Sequence, residues 1–559
     1  MTSNRPTILG HQHMVAAGHY LAAEAGYAVL EAGGNAVDAG VASAMCLGVV
    51  QSDLVGFGGV APMMIRDPSS GEMVTIDGLG WWPEATDINR FIDEFDGLVP
   101  RGILRTVVPG APAAFIAALE RFGTMSFGEV AFGAIRAARD GFVMYDLLAS
   151  TIAEHEHEYR EYEENTRIYL PNDAPPKVGS VFRLEKLAAT IQFMADQEQA
   201  AGGDRKAGLA AARHAFYEGD IAQTIDRFHR ENGGWLTMKD LAGYSVTFDQ
   251  SVTTRFAGAT VHACGPWCQG PALTQVLAIL EGFDLEALGH NSAAYIHVVA
   301  EAIKLVFHDR EEHYGDPRHV DVPIDRLTSS QHAAHLRDRI DRARATPHGE
   351  LWDEAGEQEL VGEGALDTSY TCAIDSDGLV FSCTPSDGSS NTPVVPELGM
   401  CLSSRGSQSR ADPDHPSSIV PGKRPRLTPN PAIAVCDDGR VVPFGTPGAD
   451  VQIQAMAQAL TNLLVFGMSP QDAVGAPRFS SYSYPQSFAP HNVSPDLLRM
   501  EESLVESHGA RLSELGHKVE AWPEGNWRAG AVCMIARDGE TGVMGGGADP
   551  RRPCYVLGW

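Results

Sequence analysis

The spacing of apolar residues changes near residue 368, and this change limits the folds open to the chain. Before it, apolar residues recur at helical spacing in residues 15–31, which are predicted to form a helix, and residues 36–50 are apolar nearly all round, as in a buried helix. After it, short runs alternate between polar and apolar residues and are separated by turns at 437–439 (DDG) and 537–539 (RDG). The sequence therefore predicts an α+β protein that is helix-rich first and strand-rich second.

A predicted hairpin begins directly after this change. Residues 368–374 alternate in character, residues 375–378 (DSDG) form a turn, and residues 379–383 are the returning strand. Thr368 is thus predicted to stand at the first position of a strand, just past the loop-like residues 362–365 (GEGA). A chain can be cut at such a place without unravelling a core.

Thr368 has two interpretations on local sequence alone. A threonine at a strand start is commonly an ordinary β-branched strand residue. If the Asp367–Thr368 bond breaks, however, Thr368 becomes an N-terminus whose α-amine, with a pKa near about 7.7 to 8.0, can serve as the base for its own hydroxyl. The cut could be self-made, through attack of the Thr368 hydroxyl on the Asp367 carbonyl.

Composition narrows the class of protein. The 559 residues carry 42 Lys and Arg against 72 Asp and Glu, a formal charge of −30, which argues against nucleic-acid binding. No run of eighteen apolar residues is present and residues 1–10 lack a secretory pattern, so we expect a cytoplasmic enzyme without a membrane partner, unless an export leader is missing from this sequence. The nine cysteines are expected to be reduced core thiols.

Two further patterns in the sequence are weaker candidates for chemistry. Cys264, just before the Pro- and Gly-rich loop 265–271, or Cys268, within it, could be a reactive thiol, but no motif pairs either with a histidine. Residues 155–158 (HEHE) could hold a metal, but alternate residues of a helix point to different sides. Neither pattern favours its functional interpretation, and no cofactor or metal is expected.

Ordered motifs along almost the whole chain resemble the γ-glutamyltransferase (glutathione hydrolase) family of N-terminal nucleophile hydrolases. The motifs are residues 31–39 (EAGGNAVDA), 108–110 (VPG), 138–142 (ARDGF), 233–237 (GGWLT), 300–302 (AEA), 309–310 (DR), 315–317 (GDP), 421–425 (PGKRP), 476–479 (APRF) and 549–551 (DPR). The resemblance implies a four-layer αββα sandwich. It also implies a precursor cut into fragments 1–367 and 368–559, which stay together as one globular unit and could form a homodimer.

The resemblance also implies roles for single residues. The family nucleophile falls on Thr368, and the hydroxyl that assists it falls on Ser386. The two backbone amides that face the oxyanion fall on Gly448 and Ala449. The implied reaction is attack on a small-molecule amide, an acyl-enzyme, and transfer to water or an amine.

The substrate-binding positions depart from the family pattern. Leu79 stands near the position of an arginine that grips a carboxylate, Gln408 near that of an acid that holds an amine, and Leu427 and Thr428 replace a pair of serines. Removing one partner of a buried ion pair costs about 3 to 5 kcal/mol. Ordinary γ-glutamyl recognition should therefore be lost unless other residues replace these groups.

Two nearby arginines, Arg405 and Arg426, could supply the missing positive charge. We therefore expect an amidohydrolase or acyltransferase for a carboxylate-bearing amide. Two alternatives stay open: a true γ-glutamyl hydrolase or transpeptidase, and an uncut, catalytically idle relative that acts as a binding module.

Overall fold

The computed structural model describes residues 5–352 and 368–559, so Asp367, on one side of the predicted cleavage site, lies outside the described residues. The strands are β1 (Ile8–Gly10), β2 (Met14–Ala17), β3 (Met63–Asp67), β4 (Glu72–Ile76), β5 (Phe142–Val143), β6 (Val181–Phe182), β7 (Phe248–Gln250), β8 (Val252–Phe256), β9 (Ala259–Ala263), β10 (Thr371–Ile374), β11 (Val380–Cys383), β12 (Val394–Val395), β13 (Met400–Cys401), β14 (Ala432–Cys436), β15 (Val441–Gly445), β16 (Phe479–Ser481), β17 (Leu497–Glu501), β18 (Lys518–Trp522), β19 (Cys533–Arg537), β20 (Met544–Ala548) and β21 (Tyr555–Gly558).

The helices lie mostly before residue 352. They are α1 (Tyr20–Glu31), α2 (Ala36–Val50), α3 (Ile88–Phe95), α4 (Ala111–Phe122), α5 (Phe127–Asp140), α6 (Asp146–Glu154), α7 (Glu156–Tyr159), α8 (Glu163–Tyr169), α9 (Glu185–Ala201), α10 (Arg205–Tyr217), α11 (Asp220–Glu231), α12 (Met238–Ala242), α13 (Gly270–Leu280), α14 (Leu285–Leu288), α15 (Ala293–His313), α16 (Ile324–Leu327), α17 (Ser330–Asp338), α18 (His348–Leu351), α19 (Gln452–Leu464), α20 (Pro470–Gly475) and α21 (Glu502–Leu515). Within the described part of the chain, no helix is long and apolar enough to cross a membrane.

Two seven-stranded sheets form the centre of the molecule. One has the order β1-β20-β19-β15-β14-β9-β8 and the other the order β21-β2-β10-β11-β3-β4-β7. Each sheet combines strands from before and after residue 368. In particular, β10 pairs antiparallel with β2 on one side and with β11 on the other, and β11 in turn pairs with β3.

The two sheets and their covering helices form four layers, as the resemblance implied. Side chains between the sheets, among them Tyr370, Ile433 and Ile535, form one apolar cluster. Helices α1, α2, α4, α5, α9 and α10 share a core with the outer face of the β10 sheet. Helices α13, α15 and α19 share another with the outer face of the β14 sheet. The predicted αββα sandwich is confirmed.

Several elements follow from local sequence. Helix α2 begins with a capping box, in which Asn35 and Asp38 bond to each other's backbone, and its residues are all buried. The predicted β10–β11, β14–β15 and β19–β20 hairpins are present.

Two local predictions were wrong. Residues 15–17, the predicted start of the helix 15–31, belong instead to β2, because the apolar side chains of this strand are buried on both of its faces. Thr368 precedes β10 by three residues instead of opening it.

Candidate active site

Thr368, Ser386 and Arg405 come together in the interior. The Thr368 Oγ1 lies 2.6 Å from the Ser386 Oγ, and the Arg405 Nη2 donates to the same Ser386 Oγ at 2.5 Å. All three side chains are fully buried. Ser386 is held in register by backbone pairing with Val60, whose carbonyl accepts the Ser386 N–H at 2.9 Å. The structure therefore joins the predicted nucleophile, the predicted second hydroxyl and one of the two candidate arginines.

The donor chemistry of this triplet favours negative charge on a hydroxyl oxygen. A guanidinium can only donate, so Ser386 must accept from Arg405. The Ser386 proton is then available to Thr368, and hydrogen bonds from a cation are stronger than neutral ones. Charge that develops on the Thr368 Oγ1 during an attack would be stabilised through Ser386 by the fixed Arg405 guanidinium.

Asp387 positions Arg405 and was missed by the sequence analysis. Its Oδ2 lies 3.5 Å from the Arg405 Nε and accepts from the Ser403 Oγ at 2.7 Å. Its Oδ1 accepts from the Ser404 N–H at 2.9 Å and the Ser404 Oγ at 2.5 Å. Two features of the sequence could have indicated this role: Asp387 directly follows Ser386, and residues 403–405 (SSR) offer two hydroxyls and an arginine as partners.

The predicted oxyanion residues lie in a tight turn that leads into α19. Gly448 has φ 126° and Ala449 has φ 49°, so both adopt backbone conformations that favour glycine, and Ala449 does so under strain. The Ala449 carbonyl accepts from the Gln269 Nε2 at 3.1 Å. Gln452, the first residue of α19, reaches to 3.5 Å from the Thr368 Oγ1 with its Nε2. The turn is thus tied to the surroundings of Thr368.

Leu79 and Leu427 line an apolar wall near the site. Both are fully buried, and they belong to one cluster of apolar side chains. The cluster comprises Val60, Leu79, Cys264, Trp267, Cys268 and Leu427. Neither position offers a charge or a polar side chain to a ligand.

Gln408 and Thr428 are joined to each other. The Gln408 Nε2 donates to the Thr428 Oγ1 at 2.8 Å. The Gln408 Oε1 is buried and has no hydrogen-bond partner in the described residues. A buried carbonyl oxygen without a donor is unfavourable, so this atom is suited to accept a hydrogen bond from a ligand.

Arg426 is engaged elsewhere. Its Nη2 donates to the Glu311 Oε1 at 2.6 Å and its Nη1 to the Arg310 carbonyl at 3.1 Å. Burial alone would raise the pKa of Glu311, but the charges of Arg426, Arg410 and Arg310 hold that pKa well below its usual range. Arg426 therefore belongs to a buried cluster of ion pairs around Glu311.

The two weaker candidates gain no support from the structure. Cys264 and Cys268 are fully buried, and burial raises the pKa of the Cys264 thiol well above its usual value, so it is not a thiolate at neutral pH. His155 and His157 both contact Glu158, at 3.0 and 2.8 Å, and Arg101 pairs with the same carboxylate at 3.0 Å. Arg101 adds a positive charge where a metal ion would bind.

Comparison with known proteins gives the class. Residues 22–559 match the Gamma-glutamyltranspeptidase family. The chain therefore belongs to this family, whose members are hydrolases and transpeptidases that are made as proenzymes.

Three relatives show how far the likeness extends. The chain is 30% identical to the glutathione hydrolase-like YwrD proenzyme of Bacillus subtilis (strain 168), over 99% of each sequence. It is 30% identical to the acylase ACY 1 proenzyme of Pseudomonas sp. (strain SE83), over 98% of this chain and 96% of the relative. The solved structure of LmbA2991HD superposes with a TM-score of 0.93 at 33% identity, with full coverage of both chains.

Proposed function

We propose that Thr368 is the N-terminal nucleophile of a self-processing amidohydrolase or acyltransferase that acts on a carboxylate-bearing amide. The observation that carries this proposal is the 2.6 Å contact between the Thr368 Oγ1 and the Ser386 Oγ, with Arg405 donating to the same oxygen. A threonine buried beside a second hydroxyl and a cation is suited to attack a carbonyl carbon.

The first reaction opens the chain. The Thr368 Oγ1 attacks the Asp367 carbonyl carbon, and its proton passes to the Thr368 nitrogen as the C–N bond breaks and the acyl group moves from nitrogen to oxygen. Water then hydrolyses the ester and releases the Asp367 carboxylate and a free α-amine on Thr368. The backbone of Thr368 has φ 146°, a strained value for a β-branched residue, which supports a junction prepared to break.

Turnover then uses the new amine as a general base. The amine takes the proton of the Thr368 Oγ1, which attacks the substrate amide and forms a tetrahedral oxyanion. The Gly448 and Ala449 N–H groups are the proposed donors to that oxyanion, and each such donor is worth about 2.7 to 4 kcal/mol. The proton passes to the leaving amine, and water or an acceptor amine resolves the acyl-enzyme.

The substrate preference follows from the charges around the site. Leu79 and Leu427 present an apolar wall, and Gln408 presents a neutral carbonyl oxygen. A γ-glutamyl group would bring an ammonium and a carboxylate to positions that lack a charged partner. Arg405, in contact with Ser386, is the cation best placed for a carboxylate close to the scissile bond.

Two measurements test the proposal. Intact mass of the purified chain should show two fragments separated between residues 367 and 368. Steady-state assays should then show higher kcat/KM for short acid-bearing amides and acylated amines than for γ-glutamyl-p-nitroanilide. An active but unbroken chain would exclude the N-terminal nucleophile, an inactive unbroken chain would favour a binding module, and efficient γ-glutamyl release would overturn the substrate preference.

A further inference from the structure

Buried polar atoms without partners are concentrated in residues 51–53 and at Arg552, which bonds to the main chain of Thr368. Both carboxylate oxygens of Asp53, the Gln51 Oε1, the Ser52 Oγ and the Arg552 Nη2 make no hydrogen bond in the described residues. Asp53 and Arg552 are 5% and 4% exposed. Folded proteins pair nearly all such groups, so this concentration calls for a partner that the described chain does not supply.

Hydrogen bonds tie this group to the nucleophile. The Arg552 Nη1 donates to the Thr368 carbonyl at 3.3 Å. Two residues on, the Tyr370 carbonyl accepts from the Gly18 N–H at 2.9 Å, and the Gly18 carbonyl accepts from the Gln51 Nε2 at 3.0 Å. Arg552 therefore bonds directly to the main chain of Thr368, and Gln51 is joined through Gly18 to the same segment of chain.

The surroundings of Asp53 leave its charge largely uncompensated. The charges acting on it are those of Arg552 and His155, and the Thr151 hydroxyl lies close. Tyr145, Tyr159 and Tyr169 also interact electrostatically with Asp53, and burial keeps these phenols neutral by raising the pKa of each. Burial raises the pKa of Asp53 to about 7, because Arg552, Thr151 and His155 only partly oppose the loss of water.

We propose that Asp53 is a positioning residue that serves as counter-ion and hydrogen-bond acceptor for the α-amine created at Thr368 by cleavage. This inference rests on the proposed nucleophile. Cleavage adds a titratable amine beside Arg552, which is already a buried cation, and Asp53 supplies the anion that such a pair requires. By accepting one amine hydrogen, Asp53 would turn the nitrogen lone pair toward the Thr368 Oγ1, the geometry that general-base catalysis needs.

The test compares Asp53→Asn with Asp53→Glu and with Asp146→Asn, which removes an exposed acid at the start of α6. The readouts are the fraction of chain cut, by intact mass, and the pH profile of kcat/KM. A nearby carboxylate raises the pKa of an amine, so the acid limb of Asp53→Asn should lie about one pH unit lower than that of the wild type. Misorientation of the amine should lower kcat/KM by about 10- to 100-fold.

Two outcomes support the inference and three overturn it. The inference is supported if the acid limb of the pH profile shifts in Asp53→Asn and stays near its wild-type position in Asp53→Glu, while Asp146→Asn has the wild-type profile. An Asp53→Asn protein that is cut and keeps the wild-type limb would overturn it. If Asp53→Asn is not cut, the Asp53→Glu variant decides. An Asp53→Glu protein that is cut and has the acid limb of the wild type supports the counter-ion role. An Asp53→Glu protein that is uncut, or whose acid limb is displaced, rejects it. A wild-type chain that is never cut would instead reject the proposed nucleophile itself.

Discussion

Arg405 and Arg426 are both fully buried, yet their surroundings give the two charges different uses. Arg405 donates to the Ser386 hydroxyl at 2.5 Å, and its Nε lies 3.5 Å from the Asp387 carboxylate. Arg426 donates directly to Glu311 at 2.6 Å within a cluster that also includes Arg310 and Arg410. The Arg405 charge contacts a hydroxyl beside the predicted nucleophile, and the Arg426 charge forms a structural ion pair. Burial and residue type therefore do not identify a functional arginine, whereas its partner does.

The largest expected effect is that of Thr368→Ala, which removes the hydroxyl toward which Arg405 and Ser386 are directed. We expect a single uncut chain of unchanged fold and no turnover above background, because without the hydroxyl the chain is not cleaved and no acyl-enzyme forms. Intact mass, circular dichroism and an amide-release assay check this. Thr368→Ser is the matched control and should retain cutting and activity. Full activity in the alanine variant would remove Thr368 from the mechanism.

The next effect concerns stability around Arg426. Arg426→Gln leaves Glu311 short of one buried partner, and breaking such a pair costs about 3 to 5 kcal/mol. We expect the free energy of unfolding in urea to fall by that amount, while kcat/KM per folded molecule stays near that of the wild type. A large loss of kcat/KM in a stable protein would place Arg426 in the substrate site and erase the contrast with Arg405.

Arg405→Gln should show the opposite pattern. Loss of a charged hydrogen bond to Ser386 costs about 1.5 to 3 kcal/mol, so kcat/KM should fall by about 10- to 150-fold. The free energy of unfolding should change less than in Arg426→Gln, because Asp387 keeps its donors from Ser403 and Ser404. Arg405→Lys, which keeps the charge, should recover part of the activity. Wild-type kcat/KM in Arg405→Gln would contradict the proposed role.

The smallest effect is a pH dependence of stability that belongs to Glu311. The folded-state pKa of this carboxyl is depressed, so its contribution is fully present above the ordinary glutamate pKa and is lost as pH falls below it toward the folded value. Urea titrations between pH 7 and pH 3 should therefore show a steeper loss in the wild type than in Glu311→Gln. Equal slopes would show that the cluster does not depend on this charge.

Local patterns predicted much of the fold, and long-range partners explain what they missed. The all-round apolar run of α2 and the turn residues of three hairpins are signals carried within a few residues. The helical prediction for residues 15–17 is wrong because the four-residue apolar run 14–17 is too short to distinguish a buried strand from a helix.

At the site, the family motifs predicted Thr368 and Ser386, which the structure brings into contact. Arg405 and Arg426 were indistinguishable in sequence because Glu311 lies 115 residues before Arg426. Asp53 and Asp387 carried no motif, and their importance comes only from what surrounds them in space.

The pairing of β10 between β2 and β11 has a consequence for the lifetime of the cut protein. If the chain is cut ahead of Thr368, the two fragments remain joined by strand pairing, because β2 and β3 come from one fragment while β10 and β11 come from the other. Neither fragment can dissociate unless the backbone hydrogen bonds between strands of this central sheet break. Separation of the halves therefore amounts to unfolding, and dilution alone should not dissociate them.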